Sequence, residues 1–72
     1  MDLRCGIYRH YKGKEYLVLG VAKHSETGEI LVAYIPLYAV EGPQISVRPY
    51  QMFIEKVVLA GKKVSRFKYI RG

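Results

Sequence analysis

The chain alternates short apolar stretches with glycine-centred breaks. KGK, TGE, EGP and AGK interrupt segments rich in Val, Ile, Leu and Tyr, the pattern of strands joined by turns. The predicted strands are Gly6 to Tyr11, Glu15 to His24, Ile30 to Leu37, Gln44 to Arg48, Glu55 to Ala60 and Lys63 to Ile70. Glu15 to His24 and Ile30 to Leu37 are apolar on both parities, which a sheet with one wet face does not require, so these two are expected at the centre. Pro49 suits a first helical position, and PYQMFI, Pro49 to Ile54, is expected to form one short helical or 3₁₀ turn. No repeat, linker or low-complexity tract divides the chain, so residues 1–72 are read as one domain with 1–5 as a loose terminus. The predicted fold class is all-β: a small, strongly bent SH3-like barrel of five to six strands with one helical turn, an OB-like barrel being the alternative.

The first hairpin carries the densest chemistry, GIYRHYKGKEY. A type II′ two-residue loop wants glycine first, which Gly13-Lys14 supplies, and it would pair Lys12 with Glu15, Tyr11 with Tyr16, His10 with Leu17 and Arg9 with Val18. Side chains alternate across a strand, so Tyr8 and His10 would then face the core with Leu17, Leu19 and Val21. Arg9, Tyr11 and Tyr16 would share the open face above Gly20 and Ala22. An arginine beside two tyrosines can hold phosphate and stack bases. The structural counter-reading is a cation–π cluster on a wet sheet face.

Charge extends this picture. Twelve Lys and Arg against six Asp and Glu give a net charge of +6 and a sequence pI near 9.6, a balance that attracts polyanions. Lys56, Lys62, Lys63, Arg66, Lys68 and Arg71 cluster late in the chain against Glu55 alone. Beside the Arg9 face such a stripe would form a phosphate-tracking groove; elsewhere it would be an edge blunted by lysine. The candidate binding residues are Arg9, Tyr11, Lys12, Lys14, Tyr16, Arg48, Lys62, Lys63, Arg66 and Lys68. The expected partner is RNA or single-stranded nucleic acid, and the alternative is a peptide segment or another subunit, as SH3-like barrels take. ILVAYIPLYAV, Ile30 to Val40, is more apolar than a small barrel needs and is the expected contact for a protein partner or a homo-oligomer. An aromatic cage for a cation would require Tyr11 and Tyr16 to converge with Tyr34 or Tyr38.

Other chemistry is thinly represented. The single cysteine, Cys5, cannot close an intramolecular disulfide, and the N-terminus has no signal-peptide pattern, so a cytoplasmic location is expected. The Ile30 to Val40 run is about half of what a membrane-spanning helix needs and contains Pro36. There is no nucleophile motif, no phosphate-binding glycine loop and no evident carboxylate pair, so the expectation is a protein that is not an enzyme and takes no cofactor. Cys5, His10 and His24 lack the spacing of metal ligands.

Three runs in order, GIYRHYKGKEYLVLGVAKHSET, RPYQMF and GKKVSRFKYI, cover Gly6 to Ile70. Together they resemble the small bacterial proteins grouped as domain of unknown function family 1653. The resemblance implies a compact, mostly β domain that occurs alone or appended to others, and it implies no particular activity. The family's recurrent pattern falls on Tyr8, Arg9, His10, Tyr11, Lys12 and Gly13, then on Tyr16, His24 and Glu26, and later on Arg48, Pro49, Phe53, Arg66 and Phe67. Two positions depart from it. Ser46 stands where the family has an aromatic, usually Trp, which removes a stacking residue, and Ser65 stands where proline is common.

Overall fold

The computed structural model describes residues 3–72. Seven strands and one short helix follow in the order β1 (Gly6–His10), β2 (Glu15–Lys23), β3 (Ile30–Pro36), β4 (Ser46–Pro49), α1 (Tyr50–Ile54), β5 (Lys56–Leu59), β6 (Lys62–Ser65) and β7 (Phe67–Arg71). Five of them form one antiparallel sheet in the order β4-β3-β2-β1-β7, while β5 and β6 pair as a separate ribbon. The all-β class is as the sequence indicates, and β2 and β3 are central. Barrel closure is not observed, because β4 and β7 remain the two edges of an open sheet and are not hydrogen-bonded to each other.

The ribbon explains the difference. Lys63 to Ile70 is not one strand but two, divided at Arg66, with β6 returning to β5 and β7 crossing to β1. Ala60 and Gly61 make the two-residue turn between β5 and β6 with both φ values positive, 52° and 77°, the handedness that matches strand twist. Arg66 then joins the two sheets through its backbone. Its N–H donates to the Glu55 carbonyl at 3.2 Å and its own carbonyl accepts from the Tyr11 N–H at 2.9 Å.

The first hairpin is also turned differently. His10 N–H donates to the Lys14 carbonyl and Gly13 N–H to the His10 carbonyl, a three-residue loop over Tyr11, Lys12 and Gly13. Gly13, at φ 108°, takes the left-handed place that such loops reserve for glycine. The pairs are therefore Arg9 with Glu15, Tyr8 with Tyr16, Ile7 with Leu17 and Gly6 with Val18. This register is three residues away from the one expected, and an odd shift reverses the face of β2. Tyr16 and Val18 go to the core, whereas Leu17 is half-buried and Leu19 and Val21 are exposed. A β-bulge at Leu19 adds to the change, since Val18 pairs with Tyr34 but Gly20 with Ala33.

The core is small and aromatic: Tyr8, Tyr16, Val18, Val32, Tyr34, Phe53 and Phe67. Phe53 is the buried residue of α1 and stacks on Phe67, with ring centroids 4.2 Å apart and planes at 4°. Helix α1 has no side-chain N-cap, and a single turn is not stable alone, so this stack is what holds it against the sheet. Of the expected loose terminus, residues 1 and 2 lie outside the described residues. Leu3 packs against the core, Arg4 accepts from the Tyr8 hydroxyl at 2.8 Å, and the Cys5 thiol donates to the Leu19 carbonyl at 3.2 Å in the bulge.

Phe→Ala substitutions in a core cost about 3–5 kcal/mol, a large part of the total stability of a small domain. Phe53→Ala is expected to move the urea midpoint by that amount, and Met52→Ala, on the exposed side of the same turn, to leave it within about 0.5 kcal/mol.

Candidate functional site

The register separates the residues expected to act together. Tyr16 is buried, 8% exposed, and its hydroxyl lies 3.0 Å from that of Tyr38; it cannot offer a ring face to a ligand. Burial, reinforced by the Tyr38 hydrogen bond, pushes its phenol up to about 12. Arg9 lies on the opposite face of the sheet, where its Nε and Nη2 both donate to Glu15 Oε2, at 3.1 and 2.7 Å. A shared Arg9, Tyr11 and Tyr16 surface therefore does not exist, and neither does a cage built on Tyr16. The physical cause is the odd register shift at the hairpin.

Two other groupings take its place. The first is a groove between the main sheet and the ribbon. Arg9 and Lys68 are direct cross-strand partners, and a cavity of about 280 Å³ lies between them and the ribbon, lined also by His10, Tyr11, Leu59, Val64, Ser65 and Ile70. Of the late basic residues, Lys68 meets Arg9 here. Lys62 and Lys63 are exposed on β6, and Lys12 is exposed at the hairpin loop with its ammonium 5.8 Å from the Tyr11 ring centroid. Lys14 points elsewhere, onto Tyr38 at 4.3 Å.

The second grouping surrounds Phe67 on the core face. The rings of His10, Tyr16, Tyr34 and Phe53 lie with centroids 5.0, 5.6, 6.5 and 4.2 Å from that of Phe67. The Arg48 guanidinium lies 5.2 Å from the same ring and 5.9 Å from Tyr34, within cation–π range. Arg48 reaches this place because β4 pairs with β3 so that Arg48 is opposite the fully buried Val32. Arg66 sits beside Phe67 in sequence and is ion-paired to Glu55 at 3.1 Å. The motif residues His10, Tyr16, Arg48 and Phe53 thus surround the ring of a fifth, Phe67. His10, expected to face the core, is half-buried, its Nδ1 accepting from the Lys12 N–H at 3.1 Å, a local side-chain cap of the loop.

His24 does the same work at the second hairpin. Its Nδ1 accepts from the N–H groups of Glu26 and Thr27 at 3.2 and 3.3 Å, and Gly28 takes a φ of 76°. Turn chemistry accounts for SETGE. Among the described residues no group of three or more His, Cys, Asp or Glu could hold a metal ion, and no helix is long and apolar enough to cross a membrane.

Fold and surface together define a small basic β-domain with an aromatic centre and two cationic groupings. The profile of the family described as "Protein of unknown function (DUF1653)" matches residues 6–69, and the chain belongs to that family. It is similar to a solved structure described as a protein of the same family from Bordetella bronchiseptica, with 43% identity and a TM-score of 0.88 over 96% of this chain and 88% of that one. No curated protein matches.

His10 gives a measurable check on the geometry. Burial lowers its pKa, with the charges of Arg48, Arg66 and Lys12 acting in the same direction. Its folded pKa then lies below the unfolded value of about 6.5, so the unfolded chain takes up the proton first. The stabilisation is present above the unfolded pKa and is lost as pH falls through the folded one. A ¹³C-detected imidazole titration is expected to show His10 titrating below a model histidine, and His10→Gln to flatten the fall in urea stability across that window.

Proposed function

We propose that the protein is a binding module for RNA or another single-stranded nucleic acid, with the groove between β1, β7 and the β5–β6 ribbon as the contact. The observation that carries this reading is the cross-strand pair of Arg9 and Lys68 beside Tyr11 at the rim of a cavity. Lysines along the ribbon would follow the phosphates, and Tyr11 supplies the aromatic surface that a base can stack on. Arg9 is already neutralised by Glu15, so the lysines carry most of the attraction. Of the residues named from the sequence, Arg9, Tyr11, Lys12, Lys62, Lys63 and Lys68 belong to this reading. Tyr16 leaves it.

A second reading, a protein partner, is favoured by a different observation. Leu37, Ile45 and Val47 are 48%, 61% and 56% exposed around the β3–β4 edge, and exposed apolar groups side by side mark contact surfaces. It retains only part of the Ile30 to Val40 run, since Val32 and Tyr34 are buried within the chain itself.

Salt separates the two. Titrating ¹⁵N-labelled protein with a mixed-sequence single-stranded RNA at about 50 and then about 200 mM salt should shift Arg9, Tyr11 and Lys68 and weaken binding by an order of magnitude or more. Lys63→Gln and Lys68→Gln should each reduce affinity and lower the salt slope by about one unit, while Leu37→Ser leaves both unchanged. An unperturbed spectrum at low salt would remove the nucleic-acid reading and turn attention to the β3–β4 edge.

A further inference from the structure

Half-buried arginines usually face a carboxylate, because a desolvated charge without a partner is costly. The half-buried Arg66 has Glu55, and even the exposed Arg9 has Glu15. Arg48 has neither: among the described residues it forms no ion pair, and its only hydrogen bond is a long one, 3.4 Å from Nη2 to the Tyr34 hydroxyl. Its Nε is buried without a partner. A guanidinium carries five N–H donors in a rigid fork matched to oxyanions, and among the described residues only Nη2 of Arg48 has an acceptor.

The neighbours of Arg48 are donors or cations. The His10 ring lies 5.0 Å from the same Phe67 ring that has the Arg48 guanidinium at 5.2 Å, and because its Nδ1 accepts the Lys12 N–H, its Nε2 carries the proton and can donate. The Tyr16 and Tyr38 hydroxyls form a pair nearby with the Lys14 ammonium over Tyr38. Glu55, the acidic group of this region, is engaged by Arg66. Aromatic walls, a forked cation held on a ring and a second N–H donor against that ring make a receptor for an anion.

We infer that Arg48 is the centre of a binding site for a phosphate monoester, beside the Phe67 ring that Arg48 and His10 share, with His10 Nε2 as a second donor. A forked guanidinium with a second N–H donor suits the several oxygens of a phosphate better than a single carboxylate. The phosphate is either that of a free small molecule or the terminal phosphate of a nucleic-acid strand. The site shares His10 with the Arg9–Lys68 groove, but it is centred on Arg48 and does not rest on the nucleic-acid reading.

The test uses the intact chain with ¹³C-labelled histidine and the ¹⁵Nε signals of arginine. Inorganic phosphate, uridine monophosphate, acetate, and one short RNA with a 5′-phosphate or a 5′-hydroxyl are added in turn at fixed ionic strength. Saturable shifts of Arg48 Nε and of His10 with phosphate or the monophosphate, at least tenfold tighter than with acetate, are the expected result. The bound anion should also raise the His10 pKa by offsetting the arginine charges, a change that a purely structural Arg48 would not produce. Arg48→Lys, which keeps the charge and loses the fork, should weaken phosphate about tenfold; Lys68→Gln should leave it unchanged while weakening RNA. Preference for the 5′-phosphorylated RNA at the same signals assigns the ligand to a strand end, and shifts with the free phosphates alone assign it to a small molecule. Absence of saturable shifts in a folded protein, or acetate binding as tightly as phosphate, overturns the inference.

Discussion

Phe67 is the ring on which this domain depends. It is the first residue of β7, it stacks on Phe53 of α1, and it meets His10 of β1, Tyr16 of β2 and Tyr34 of β3 edge-on or tilted. Four elements are therefore registered against one side chain. Aromatic contacts of this geometry add to the simple burial of area, which matters in a chain of 72 residues, where little apolar surface can be hidden. Among the described residues, five of the seven buried hydrophobic side chains are aromatic, so the core is built from a few large groups rather than from many small ones.

Three of those aromatics are tyrosines, and a buried phenol must place its hydroxyl. Each does so at the rim, on a different peripheral segment. Tyr8 donates to Arg4 in the N-terminal segment, Tyr16 pairs with Tyr38 beyond β3, and Tyr34 accepts from Arg48 of β4. The polar tips thus hold the parts of the chain that have few apolar contacts of their own. A phenylalanine at any of the three would keep the packing and free one segment. The open sheet follows from the same arrangement, since α1 and the Arg48 side chain occupy the core face where a closed barrel would bring its edge strands together.

Much of the fold was legible because glycine punctuation and Val, Ile and Tyr content reflect local backbone preference. The short helix after Arg48, the turn at Gly28 and the central place of β2 and β3 all follow from such local signals. The register of the first hairpin was not legible. H-Y-K-G-K is compatible with a two-residue loop led by Gly13 and with a three-residue loop ended by it, and both use the glycine at positive φ. The choice is made by tertiary terms: Tyr16 and Val18 gain burial against Phe67 and Val32, and Arg9 gains Glu15. Because strand faces alternate, this one ambiguity moved Tyr16 from the expected surface into the core and left Arg9 sharing its face with Lys68 rather than with Tyr16. The bulge at Leu19 had its sign in Gly20, but a glycine inside a strand does not say which neighbour is extra.

The distribution of positive charge follows from the fold rather than from composition. Of the six acidic residues, Glu15 and Glu55 are placed to neutralise Arg9 and Arg66, which leaves the surface field mainly to lysines. Lysine charge is mobile and strongly screened, so a contact made by it is long-ranged, salt-sensitive and tolerant of geometry. Arg48 is the opposite kind of cation: fixed between Phe67 and Tyr34, partly removed from water and provided with directed donors. A ligand drawn by the first kind and held by the second would be recognised in two stages, one depending on net charge and the other on shape. His10 stands between them, since it lines the groove and also lies against Phe67. A change of charge at Arg48 is therefore felt by a residue that faces the lysines, which gives the two surfaces a physical connection across a single imidazole ring.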